Sequence, residues 1–200
     1  YKRSILFQAQ FSYFIHPKQT KQASRYGGGG LFGDGFKPFY YGKQNTLFSL
    51  YAGAGQKFLI AEKGKRHGVQ IFVQYAGGIS LGLLKPYYLR VIPKPLTTAS
   101  EDDLVDVTYE EGVDNSFLDF ERIVGASGFG KGWKFKALPA LHIEVGMQFD
   151  FGKNDSFIKA LEVGIISDFY YKKVPVMVDN NRFLYPSVYA GFMLGKRKEK

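Results

Sequence analysis

An antiparallel β-sheet closed into a transmembrane barrel is the fold class this sequence predicts, on three observations. Apolar residues recur with period two over long stretches, the residues between them are small or amide-bearing, and long connections alternate with short ones. The clearest stretch is 69–84, where Val69, Ile71, Val73, Tyr75, Gly77, Ile79, Leu81 and Leu83 alternate with Gln70, Phe72, Gln74, Ala76, Gly78, Ser80, Gly82 and Leu84. Successive strand residues point to opposite faces, so this is a strand with one apolar face. A soluble β-sandwich gives the same alternation and is the alternative reading. Its polar face, however, meets bulk water and is rich in Lys, Glu, Thr and Arg. Here that face holds Gly, Gln, Ser and isolated carboxylates, as the crowded interior of a narrow barrel does. Aliphatic residues with aromatics near the strand ends make the lipid-facing band.

Six strands follow in order. The first spans about 4–15, with Ile5, Phe7, Ala9, Phe11, Tyr13 and Ile15 opposite Gln8, Gln10 and Ser12. The second spans 45–57, with Leu50, Ala52 and Ala54 opposite Ser49, Tyr51, Gly53 and Gly55. The third is 69–84. The fourth, 141–152, sets Leu141, Ile143, Val145, Met147, Phe149 and Phe151 against His142, Glu144, Gly146, Gln148, Asp150 and Gly152. The fifth, 157–171, sets Leu161, Val163 and Ile165 against Glu162, Gly164 and Asp168, and the sixth, 183–195, carries Leu184, Val188, Ala190, Phe192 and Leu194. Each reaches the roughly ten residues that a tilted strand needs to cross a bilayer.

The connections alternate. A hairpin at 153–156 and a charged turn around Lys63-Gly64-Lys65 are short, whereas 16–44, 85–139 and 172–182 are long. Outer-membrane barrels sort their loops by side in this way, long ones outside and short turns in the periplasm. The expected topology puts Lys18, Asp103 and Asp179 outside, and Lys63, Lys153 and the C-terminal tail from Lys196 in the periplasm. A short amphipathic helix is expected at 115–124, from Phe117, Leu118, Phe120, Ile123 and Val124. The aromatic loop 16–44, with Phe39-Tyr40-Tyr41, is a candidate contact surface.

Six strands are fewer than the eight or so of the smallest membrane barrels, and an open edge in lipid leaves unpaired backbone groups at several kcal/mol each. The wall is therefore expected to close through an N-terminal hairpin preceding Tyr1, through weaker strands near 36–41 and 104–109, or through a partner. Residues 1–200 read as one domain. The opening Tyr1-Lys2-Arg3 has neither initiator Met nor signal sequence, so a removed signal peptide or an internal start is expected.

Composition narrows the classes. No apolar run approaches the length of a membrane helix. The chain has no Cys, hence no disulfide framework and no thiolate metal site. The net charge of +9 sits in turns and in the tail rather than in a stripe interleaved with aromatics, which argues against nucleic acid as partner. The acidic segment 101–114 lacks EF-hand spacing, and the glycine run 125–132 lacks the Gly-Lys-Ser/Thr of a phosphate loop.

The run Gly77-Gly78-Ile79-Ser80-Leu81-Gly82-Leu83-Leu84-Lys85-Pro86-Tyr87-Tyr88-Leu89 resembles a segment of uncharacterised outer-membrane β-barrel proteins of Bacteroidota. So do residues 125–132, Ala160-Leu161-Glu162-Val163-Gly164, and the ending Val188 to Arg197. The resemblance implies an outer-membrane location, a barrel fold and further N-terminal strands, and it brings no agreed activity. The basic tail after Gly195 departs from the terminal aromatic common in barrels.

The expected interior cluster is His142, Glu144, Gln148 and Asp150 on the fourth strand, Glu162 and Asp168 on the fifth, and Gln70 and Gln74 on the third. Carboxylates crowded in a narrow lumen suit a cation path, or a lipid-modifying site with His142 as base. They equally suit a hydrogen-bonded plug, since small barrels are filled by their own side chains. No Ser, His and acid show the arrangement of a hydrolase, and neither a cofactor nor a metal is expected. The leading expectation is a non-enzymatic accessory or structural subunit of a larger cell-envelope complex, such as a secretion or outer-membrane protein assembly machine. Its partners would be the outer-membrane bilayer and other outer-membrane or periplasmic proteins. A narrow cation-preferring pore and, behind it, a lipid-modifying enzyme are the alternatives.

Overall fold

The computed structural model describes residues 3–24, 36–62, 68–92, 103–109, 115–152, 157–179 and 181–196. Within them eleven strands follow one another: β1 (Arg3–Phe14), β2 (Lys21–Gln22), β3 (Phe39–Tyr40), β4 (Asn45–Ala61), β5 (Gln70–Pro86), β6 (Leu89–Val91), β7 (Val105–Val107), β8 (Ile123–Ala126), β9 (Lys136–Asp150), β10 (Phe157–Val174) and β11 (Arg182–Lys196). The fold is all-β. Six long strands form one antiparallel sheet in the order β1-β4-β5-β9-β10-β11, each paired with the long strand next in sequence.

Alternation fixes the two faces. Along β9 every even residue from Ala140 to Asp150 is buried, while Leu141, Ile143, Val145 and Met147 are exposed. The outer face is predominantly apolar, and Phe7, Val188 and Phe192 are each at least 80% exposed. A sandwich would lay a second sheet on this face; the described residues leave it bare.

The sheet curls strongly. Gln8 of β1 and Tyr189 of β11, from opposite edges, both reach Glu144 on β9, at 3.5 Å and 2.6 Å. Near the other end Phe14 of β1 and Tyr185 of β11 meet edge to face, with ring centroids 6.0 Å apart. Inward glycines make the curl possible. A Cβ on Gly164 would sit 2.5 Å from the Val145 carbonyl oxygen and 2.7 Å from the Tyr189 ring, and one on Gly82 would sit 2.5 Å from the Tyr170 ring. The tyrosines lie in the space that these glycines vacate.

Among the described residues the wall is not closed: β1 and β11 share no ladder. The weaker strands expected near 36–41 and 104–109 do form, as β3 and β7, but they pair with β2 and β6 away from the wall. Being only two and three residues long, they could not span a bilayer in any case.

Instead, the described parts of the connections 16–44 and 85–139 fold together into a cap at one end of the wall, containing the sheet β7-β6-β8. Phe39, Leu89, Val91, Phe117 and Ile123 form its core, each side chain contributing about 1.5–3 kcal/mol by burial. Phe39 thus lies inside the cap rather than on an aromatic contact surface. Ala126 donates to the Lys37 carbonyl at 3.2 Å, and the Tyr41 hydroxyl donates to the Leu118 carbonyl at 2.9 Å. The third long connection joins them, with Gln44 N–H donating to Val176 O at 2.9 Å and Val178 N–H to Gly42 O at 2.8 Å.

The helix expected at 115–124 is absent. A single 3-10 turn at Asn115–Phe117 is followed by strand β8. The Asp119 carboxylate accepts from the Glu121 N–H at 3.2 Å, a local bond that competes with helix formation. The wall strands also run longer than their alternation shows. β9 starts at Lys136 and includes Pro139, one residue beyond its last pair with β10, Tyr170↔Ala140. There the missing proline N–H faces an open edge and costs no ladder bond. The short turns at 63–67 and 153–156 and the tail 197–200 lie outside the described residues, as does most of the acidic segment's two ends.

Candidate functional site: a filled lumen and a lysine–aromatic pocket

Register decides which interior residues meet. Asp168 stands directly opposite His142 and Glu162 opposite Gln148 across β9 and β10, and Gln70 stands opposite Asp150 across β5 and β9. Two separate groups result. In the first, the His142 ring donates from Nδ1 to Asp168 Oδ1 at 2.7 Å, and Tyr51 of β4 stacks on the imidazole with centroids 3.8 Å apart. His142 Nε2 has no hydrogen-bond partner among the described residues.

In the second group, Gln74 donates through Nε2 to Glu144 at 3.2 Å and to Glu162 at 2.5 Å. The Tyr189 hydroxyl lies 2.6 Å from the same oxygen of Glu144 and 2.7 Å from that of Glu162. One phenolic hydroxyl thus faces both carboxyl groups. Gln8 completes the group from β1. The remaining expected residues stand apart: Gln148 accepts from Lys57 of β4, Asp150 accepts from the Gly152 N–H at 2.9 Å, and Gln70 Oε1 is buried without a described partner.

Tyr189, Lys57 and Tyr170 are interior residues that the sequence reading passed over, whereas Tyr51 lies on the polar face to which alternation assigns it. Alternation carried the signal for Tyr189, which falls between the outward Val188 and Ala190. Toward the cap the interior of the curled sheet turns apolar: Leu47, Leu84, Ala140, Tyr170, Val174, Val176 and Met177 pack into one buried cluster. His16, at the start of the first long connection, is buried and accepts at Nδ1 from the Lys18 N–H at 3.2 Å. Among the described residues no three His, Cys, Asp or Glu side chains are placed to hold a metal ion, and no helix is long and apolar enough to cross a membrane.

A second site lies where wall and cap meet. A cavity of about 470 Å³ is lined by Lys21, Lys37, Lys43 and Lys85 together with aromatic residues. Lys43 and Lys85 are only 2% and 3% exposed. The Lys43 ammonium lies 4.9 Å from the Tyr40 ring centroid, 5.3 Å from Tyr87 and 5.9 Å from Tyr13. That of Lys85 lies 4.2 Å from Phe129, whose carbonyl it bonds at 2.5 Å, and 5.7 Å from Trp133. Burial pulls the Lys43 ammonium down to about 8 and pushes the Tyr87 phenol up to about 12. No sequence motif announces this pocket, because its residues come from four separated segments.

Comparison with known proteins finds no matching protein family, no matching curated protein and no matching solved structure.

Proposed function

We propose that this protein is a non-enzymatic outer-membrane β-barrel serving as a structural or accessory subunit of a larger cell-envelope complex. The observation that carries the reading is the filled interior beneath a bare apolar exterior. Gln8, Gln74 and Tyr189 converge on Glu144 and Glu162 across the interior, and the apolar cluster around Leu47 and Val174 packs between them and the cap. An interior filled by its own side chains leaves the surfaces for function: the edges of β1 and β11 and the cap. In lipid those two edges require partners for their backbone groups. Further strands of the same polypeptide or of a neighbouring subunit would supply them. The long-connection end with its cap would face outward and the C-terminus the periplasm.

The test is purification of the full-length protein from native membranes in mild detergent, with crosslinking beforehand. Stoichiometric co-purification of another envelope protein supports the subunit reading; a protein that runs alone before and after crosslinking contradicts it. Planar-bilayer recording of the same sample addresses the cation-pore alternative. Steady cation-selective current abolished by Glu144→Gln with Glu162→Gln would replace the plug by a pore.

A further inference from the structure

We propose that the cavity between wall and cap is a binding site for a phosphate group borne on an apolar body. Among the described residues four lysines line it and no carboxylate does. The acid of the adjoining cap strand, Asp106, is already engaged by Arg90 at 3.2 Å, by the Ser127 hydroxyl at 2.5 Å and by Lys131. Burying an ammonium without a counter-ion is costly, and cation–π contacts repay only a part of that cost. Lys43, beneath three tyrosine rings and with burial alone lowering its pKa, is a cation held ready for an anion. Lysine meets phosphate as a point charge from any direction, so a ring of lysines suits a dianion better than a single planar carboxylate, which arginine would fork.

Position selects the rest of the ligand. Tyr13, Thr46, Phe48 and Lys85 carry the outward phase of β1, β4 and β5, paired as Tyr13↔Phe48 and Thr46↔Lys85. The cavity thus opens where the apolar outer face ends, beside the stacked rings of Phe11 and Phe48 and the tilted ring of Tyr13. Phe129, from the cap, closes it by packing edge to face on Phe48 at 6.1 Å. A phosphate would sit among the lysines with its apolar body against these rings. The site stands on the cavity alone; only a membrane lipid as the source of the phosphate rests on the outer-membrane reading.

The full chain in maltoside micelles is titrated calorimetrically with phenyl phosphate, with dodecyl phosphate mixed into the micelle, and with benzyl alcohol as the uncharged control. Emission of Trp133, the only tryptophan, gives a second readout beside Lys85. Saturable binding of a phosphate probe, absent for benzyl alcohol, is expected, weakened about tenfold or more in Lys43→Met and in Lys85→Met and kept in Lys43→Arg. Saturation by phenyl phosphate points to a soluble organic phosphate, and saturation by dodecyl phosphate alone to a lipid headgroup. The double variant Lys21→Met with Lys37→Met alters exposed side chains at the rim and decides the matter should the buried variants not fold. The proposal is overturned if neither phosphate probe saturates, or if this double variant binds as tightly as the parent.

Discussion

The hydroxyl of Tyr189, on the edge strand β11, lies 2.6 Å from Oε1 of Glu144 two strands away on β9. Such a contact is possible only because the sheet curls over Gly146 and Gly164, on which the tyrosine ring rests. The same phenol touches Glu162, so one side chain ties together three neighbouring strands. Tyr189→Phe keeps the ring and removes the tie. It should lower unfolding stability by about 1–3 kcal/mol, the cost of leaving buried acceptors unsatisfied. Thermal unfolding in detergent, followed by circular dichroism, checks this.

Gly164 tests the steric half of that relationship. Gly164→Ala puts a Cβ 2.5 Å from the Val145 carbonyl oxygen, and backbone must shift to admit it. A loss of about 1–3 kcal/mol is expected, as for overpacking elsewhere. Gly191→Ala, where the new Cβ meets nothing within 4 Å, should be close to neutral in the same assay.

Stability should depend on pH through Lys43. Its ammonium titrates near 8 in the fold, against 10.5 in an open chain. Below pH 8 both states hold the proton, and the folded state bears the full desolvation cost. Above it the folded state releases a proton that the unfolded chain retains, so stability rises with pH until about 10.5. The gain over that window is roughly 3 kcal/mol. Tyr87 acts oppositely, its burial favouring the fold up to pH 10 and losing that effect as pH rises toward about 12. Melting temperatures between pH 8 and 10 therefore climb in the parent and stay flatter in Lys43→Met.

A charge on the outer face reports what that face meets. Val145 is 54% exposed at mid-strand on β9. Val145→Arg should cost about 2–4 kcal/mol if the face lies at the bilayer midplane, and almost nothing in water. Refolding yield into vesicles against urea distinguishes the two.

How much of this was legible in the sequence follows from the range of each signal. Alternation is local, so Leu141 to Asp150 declares both faces of β9 without reference to any other strand. Register is not local. His142 and Asp168 could be assigned to one interior, but their direct opposition depends on the turn that sets the pairing of β9 with β10. The cap was illegible for a different reason. Phe117, Ile123 and Val124 recur at helix-like spacing, yet they are buried against Phe39, Leu89 and Phe36 from distant segments, and strands of two to four residues leave no periodicity. The lysine pocket was hidden in the same way, since Lys43 and Lys85 read as ordinary loop and strand-end charges until the fold buries them.

The central claim is that the outer face of the six-stranded wall lies in lipid, and depth-resolved spin labelling tests it most directly. The chain contains no cysteine, so single variants Ile143→Cys, Val145→Cys and Ile165→Cys carry one label each on exposed outward positions. In reconstituted bilayers the account predicts that oxygen relaxes these labels far more than a water-soluble nickel chelate does, most strongly near Val145. Lys18→Cys, at the cap end of the wall, should show the reverse. Equal or greater access of the nickel chelate to Ile143, Val145 and Ile165 would contradict the membrane assignment and leave the apolar face to a protein partner in water.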